Sequence, residues 1–316
     1  MTRTLCGVKP LTRLALVGAP LAIAVSLVFG GKSSQVPVSD VPASAGDLTT
    51  GGPTSKPEKR TDQEIRAQKE VDERIARMPA GLAAPAKKEI ASQIVASAEN
   101  STLDWRGQYD TIEDIGDGCG YTAGVIGFCS GTNDMLQLVE GYTEDHPDNP
   151  LAPYLPALRA VDGTASHEGL DPGFRTAWAQ AAESPAFRRA QDETRDRIYF
   201  RPAVRQAKMD GLGTLGQFIY YDAMVLHGPG VGPKGFYGIR EAAMRSARTV
   251  AEGGGEQAYL NAFLDAGRAV MKVKKAHKDT SRIDTAQREF LRAGNLDLEP
   301  PLVWRMYGVT FRVPAS

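Results

Sequence analysis

Histidine and cysteine are scarce in this chain: its 316 residues include four of the first and three of the second. The histidines are scattered, without the short spacings that gather metal ligands, so the sequence offers no metal site and implies no cofactor. A surplus of charge is also missing, with 37 Lys and Arg against 38 Asp and Glu. That balance argues against a nucleic-acid partner, which would need a basic excess. Nor is there an uninterrupted apolar run of the roughly 20 residues that a membrane-spanning helix takes. The best candidate, Leu14 to Phe29, is broken by Gly18, Pro20 and Ser26.

What stands at the N-terminus reads as export machinery. Arg3, Lys9 and Arg13 accompany the apolar stretch, and Ala43-Ser44-Ala45 supplies a small-x-small cleavage site. Residues 1–45 are therefore expected to be a signal peptide, giving a secreted, extracellular protein without stable membrane association after cleavage. Cleavage removes four basic residues (Arg3, Lys9, Arg13, Lys32) and one acidic residue (Asp40), taking the formal net charge from −1 to −4. Residues 46–79 open with Gly, Thr, Ser and Pro and continue as the charged run EKRTDQEIRAQKEVDERIAR. Its acid–base neighbours at i,i+4 suit an exposed helix, but its apolar stripe is thin, so the segment reads as a spacer. Residues 80–316 are long enough to bury one large core, in one lobe or two.

The most informative stretch runs from Ala98 to Met135. Ile90, Ile94, Val95 and Ala98 mark one face of a helix over Lys87–Glu99, entered after Pro85. Glu99 then lies at the negative end of the helix dipole, which disfavours a second negative charge and suits a group that must carry a proton. Asp117 follows between Gly116 and Gly118, after the acidic residues Asp104, Asp110, Glu113 and Asp114. Two carboxylates on separate rigid elements are what glycoside hydrolysis requires, and an acidic neighbourhood concentrates a polycationic substrate. A solvated acidic face and ordinary turn chemistry explain the same residues equally well. Cys119 and Cys129, ten apart in an exported protein, fit either a bridge or two free thiols.

From Ile115 to Gly131 glycines alternate with Tyr, Val, Ile and Phe, predicting short strands joined by tight turns. Helical patterns follow over residues 132–142, 154–161, 174–182, 185–197, 203–226, 238–249, 256–274 and 284–293. The expected fold class is mainly α with a small β element.

The runs AENSTLDW at 98–105 and IEDIGDGCGYTAGVIGFCSGTNDML at 112–136 resemble the bacterial chitosanases of glycoside hydrolase family 46. Matching runs continue in order: YLPAL at 154–158, RDRIYF at 195–200, FIYYDAMVLHGPG at 218–230, YLNAFLDA at 259–266 and AGNLDLEPPLVW at 293–304. The resemblance covers about residues 80 to 316. It implies a lysozyme-like, two-lobed fold with a substrate groove, and a monomeric endo-chitosanase that hydrolyses β-1,4 glucosamine linkages with inversion. Its partner would be chitosan. By the resemblance, Glu99 is the general acid, Asp117 the general base, and Thr122 helps hold the nucleophilic water. Asp134 would bind a glucosamine ammonium, with Ser101 and Tyr199 lining the groove, and Arg282 and Asp222 would form a buried charge network behind the acid. Trp105 and Trp304 read as core residues.

The chain also departs from the family's pattern. Cys119 and Gly267 stand where the members it most resembles have arginines, Thr111 where a tyrosine contacts sugar in them, and Lys274 and Lys278 where they have acids. Arg268, one helical position from Gly267, is rotated by about 100° and need not substitute for the missing group. A Cys119–Cys129 bridge across the β element would replace the arginine tether. Two other functions fit less of the sequence: a lysozyme-like glycosidase acting on peptidoglycan or chitin, and a catalytically silenced chitosan-binding protein.

Overall fold

A computed structural model describes residues 62–273 and 279–315. The expected signal peptide, the first part of the spacer, Cys6, Lys274 and Lys278 lie outside the described residues. Within the spacer, α1 (Asp62–Arg77) is helical, and Asp72 accepts a 2.9 Å ion pair from Arg205.

Helix α2 (Pro85–Glu99) follows. Pro85 occupies the first helical position, where its missing N–H costs nothing, and Ala84 precedes it in an extended conformation. Ile90, Ala91, Ile94, Val95 and Ala98 face the core, as their spacing requires. The helix stops at Asn100 and Ser101, the latter in the left-handed region at φ +55°. Glu99 is therefore held on the last turn of a well-packed helix.

A three-stranded antiparallel sheet comes next: β1 (Ile112–Glu113), β2 (Thr122–Ala123) and β3 (Phe128–Cys129). Thr122 pairs with Glu113 on one side and Cys129 on the other. The β2–β3 turn needs Gly127, at φ +70°, where a Cβ would also come within 2.8 Å of the Thr122 methyl.

The rest is helical until the C-terminus. Helix α3 (Asp134–Asp145) packs on β3 and on α6 (Pro185–Arg195), with α4 (Leu155–Val161) and α5 (Phe174–Ala182) between them in the chain. Residues Asp196–Phe200 widen into a π turn before α7 (Arg201–Met209). The Arg201 N–H closes the wide turn on the Asp196 carbonyl, and Pro202 follows in the first turn of α7.

The predicted single helix over 203–226 is two helices. Gly211, at φ +78°, ends α7 with its N–H on the Lys208 carbonyl and the Leu212 N–H on the Ala207 carbonyl, the Schellman pattern. Helix α8 (Thr214–His227) then starts afresh and carries Asp222 through the core. Helices α9 (Phe236–Met244) and α10 (Glu256–Val273) pack against each other. A second π turn at Ile283–Gln287 leads into α11 (Arg288–Arg292).

A hairpin that the sequence reading did not anticipate closes the fold, from β4 (Leu302–Met306) and β5 (Val309–Val313). Leu302, Trp304 and Met306 alternate inward. The Trp304 indole N–H donates to Ser97 Oγ at 2.9 Å, fastening the hairpin to α2. Trp304 is thus a core residue, and Trp105 is buried as well. The described residues are mainly α-helical with two small sheets, one more than expected.

Candidate active site

Glu99 is half-buried at the end of α2, and its Oε1 accepts a 2.7 Å hydrogen bond from Arg282 Nη1. Arg282 is 3 % exposed, and its Nε donates to Asp222 Oδ2 at 2.8 Å. Gln287 Nε2 donates to the same oxygen. Burial alone would lower the Arg282 pKa, but the Asp222 and Glu99 carboxylates outweigh it and raise the value, so the guanidinium stays charged. Two acids around one base leave a formal excess of negative charge. Asp222 Oδ1 and Arg282 Nη2 are buried without a hydrogen-bond partner among the described residues.

Gly267 and Arg268, adjacent on α10, face different surroundings. Gly267 lies on α10 beside a small void lined by Asp222, His227, Ile283 and Gln287. A Cβ there would find its nearest neighbours, on Ile283, Ile239 and His227, at ordinary contact distances of 3.7–4.0 Å. Arg268 points elsewhere and pairs with Asp284 at 2.8 Å.

Asp117 is half-buried in its glycine turn, and its Oδ1 accepts the Cys119 N–H at 3.0 Å. Thr122, on the adjoining strand, is half-buried. Asp104, Asp110, Glu113 and Asp114 are exposed, and two of them cap local turns: Asp104 accepts the Gly107 N–H and Asp114 the Gly116 N–H. Much of the acidic run therefore shapes the loop. Cys119 and Cys129 are joined as a disulfide, their Cα atoms 6.0 Å apart.

Asp134, at the N-terminus of α3, is buried. Its Oδ1 accepts from the backbone N–H groups of Cys129 and Met135 and from the Thr132 hydroxyl, and its Oδ2 from the Tyr199 hydroxyl at 2.7 Å. Burial pushes its pKa up against the pull of those four donors. Oδ2 has one bond and keeps a second acceptor direction. Tyr199 comes from the Asp196–Phe200 π turn, and its phenol is raised by burial and by the nearby Asp134 and Glu99 charges. The structure thus brings Glu99, Tyr199 and Asp134 into one neighbourhood. Ser101 is exposed two residues beyond Glu99.

Two participants escaped the sequence reading. Gln287 joins the Asp222 cluster from the second π turn. Tyr307, in the β4–β5 turn at φ +51°, is fixed through its N–H on Ser281 Oγ and feels the charges of Arg282, Glu99 and Asp222. Only the Tyr-Gly turn signal was present in the sequence to suggest the second.

This arrangement sits inside a recognisable framework. The model for glycosyl hydrolase family 46 matches residues 93–302. The chain belongs to glycosyl hydrolase family 46. Among family 46 relatives, a chitosanase of Streptomyces sp. (strain N174) is 63 % identical over 229 residues, 72 % of this chain and 82 % of the relative. A chitosanase of Nocardioides sp. (strain N106) is 58 % identical over 233 residues, covering 74 % and 84 %. The solved structure of chitosanase OU01 with substrate superposes with a TM-score of 0.73 at 54 % identity, covering 75 % of this chain and all of the other. A Gynuella sunshinyii family 46 chitosanase in complex with chitotetraose gives 0.69 at 32 % identity, covering 76 % of this chain and all of that one. Among the described residues of this family 46 chain, no group of three His, Cys, Asp or Glu side chains is placed to hold a metal ion. No described helix is long and apolar enough to cross a membrane.

Proposed function

We propose that this protein is a secreted, monomeric endo-chitosanase that hydrolyses β-1,4 linkages between glucosamine units with inversion, Glu99 acting as general acid and Asp117 as general base. The observation that carries this reading is the Arg282 guanidinium bound to Glu99 and backed by Asp222. A general acid must release its proton as the glycosidic bond breaks, and a cation 2.7 Å away stabilises the carboxylate that remains. Burial of Arg282 keeps that cation in place and weakly screened.

Asp117 offers complementary chemistry. The Cys119 N–H occupies Oδ1, fixing the carboxylate while Oδ2 stays available to take a proton from water. The Thr122 hydroxyl would orient that water. Inversion calls for carboxyl groups roughly 6.5–9.5 Å apart, so that water fits beneath the sugar. Asp134, held by Tyr199, would meet a glucosamine ammonium through the remaining lone pair of Oδ2, with Ser101 and Tyr199 against the sugar. The chain's slight negative charge and exposed acids favour a cationic polymer over nucleic acid or a membrane surface.

Reducing-end release from highly deacetylated chitosan, with NMR of the first-formed anomer, tests the reading. Release of the α-anomer is expected. Hydrolysis of peptidoglycan or acetylated chitin in preference to chitosan would replace the substrate, and saccharide binding without hydrolysis would make the protein a binding module.

A further inference from the structure

The loop that carries Asp117 has little beneath it. A Cβ at Gly116 or Gly118 would meet nothing within 4 Å, and Asp114 and Ile115 on its approach are exposed. Cys119 is where the loop regains the fold by two routes, its carbonyl and its sulfur, while its N–H turns back on the loop's own Asp117. Its N–H donates to Asp117 Oδ1 at 3.0 Å, its carbonyl accepts the Gly131 N–H at 3.0 Å, and its sulfur is bonded to Cys129.

Cys129 is a firm anchor. It is 4 % exposed in β3, it is paired with Thr122 in the ladder, and its N–H holds Asp134 Oδ1 at 3.0 Å. The 6.0 Å Cα separation lies within the range of about 4.4–6.8 Å that a disulfide spans. The two ends are therefore unequal. Without the bridge, β3 keeps its ladder, its buried Phe128 neighbour and its grip on Asp134, while the Cys119 end keeps its N–H on the Asp117 carboxylate and its carbonyl on the Gly131 N–H.

From this asymmetry we infer that the Cys119–Cys129 disulfide is a positioning element for the reaction: it holds the Asp117 carboxylate in register with Thr122 and Asp134 across the small sheet. The inference rests on the reading of Asp117 as general base. Asp117 acts on water, whereas the sugar is held by groups on α3 and the Asp196–Phe200 turn. Loosening the loop accordingly lowers kcat and leaves KM in place.

The test has two parts. Non-reducing digestion and mass spectrometry should find the peptide carrying both cysteines two hydrogens lighter than the dithiol; a peptide with two alkylatable thiols overturns the inference. The Cys119→Ser/Cys129→Ser double variant should then lose about ten- to a hundredfold in kcat, since misplacing a reacting group by an ångström has that order of effect. KM should stay within about twofold, the signature of an interaction that acts in the chemical step. Unchanged kcat in the folded double variant, or kcat and KM impaired together, overturns it. Should the variant fail to fold, the native protein with and without a water-soluble phosphine gives the same comparison. There the sulfurs gain two electrons and two protons while the phosphine takes oxygen from water. Asp117→Asn separates the two ideas. Full activity in that variant removes the general-base reading itself, whereas an inactive Asp117→Asn beside an unimpaired double variant removes only the role of the bridge.

Discussion

Arg282 reaches Glu99 across 183 positions of sequence, donating to it at 2.7 Å while its Nε holds Asp222 at 2.8 Å. Glu99 lies at the solvent side of this cluster and Asp222 inside it. The same guanidinium thus serves the folded core and the proposed chemistry.

Removing it separates the two roles. Arg282→Ala leaves Asp222 buried without its cation, which should cost about 3–5 kcal/mol of stability. Glu99→Gln removes only the outer partner and should cost far less. Urea unfolding of both variants measures the difference; equal losses would mean that the cluster is not organised around Asp222.

As an enzyme, Glu99→Gln should lose about 10²–10⁴-fold in kcat on chitosan, the usual contribution of a positioned acid. KM should change little, because the amide preserves shape. The comparison is made by initial rates of reducing-end release. Retained activity would assign the proton to another group.

Stability should respond to pH through two carboxylates with opposite signs. Burial raises Asp284, but hydrogen bonds from Thr280 and Arg268 outweigh it and hold the carboxyl below its ordinary value of 3.8. Its contribution is present above that value and is lost as pH falls through the lower folded one. Asp134 is raised by burial, so its contribution is present below 3.8 and is lost as pH rises through its folded value. Thermal melts across the acid range should therefore show Asp284→Asn losing its deficit relative to wild type as pH falls, and Asp134→Asn increasing its deficit. The same direction for both variants would contradict this account.

Gly267→Ala should stabilise the protein by about 0.5–1 kcal/mol, the cost of glycine in a helix interior. The new methyl meets its nearest neighbours only at 3.7–4.0 Å. A lower denaturation midpoint would mean that the space beside Asp222 is needed open.

The parts of this fold legible in the sequence are those whose signal is local. Helix α2 announces itself through Pro85 and its apolar face, and α5 matches its pattern end to end. The break at Gly211 was equally local, but a strong apolar pattern on both sides concealed it. The β4–β5 hairpin carries strict alternation from Leu302 to Met306 and a Tyr-Gly turn, signals masked by the helix-rich chain preceding it. The candidate site was harder to read. Glu99, Asp117 and Asp134 stand out by resemblance, whereas the contribution of Gln287 depends on a helix widening by one residue 65 positions from Asp222. The disulfide was undetermined for the same reason, since spacing alone does not set the distance between two Cα atoms.

The Trp304–Ser97 bond has a consequence for biogenesis. It spans 207 residues and ties the helix bearing Glu99 to the last hairpin of the chain. During synthesis, α2 emerges long before its clasp, and Arg282 arrives only shortly before the hairpin. The proposed proton donor cannot acquire its full set of partners until the β4–β5 hairpin has emerged, so the site is assembled roughly two hundred residues after its first carboxylate appears.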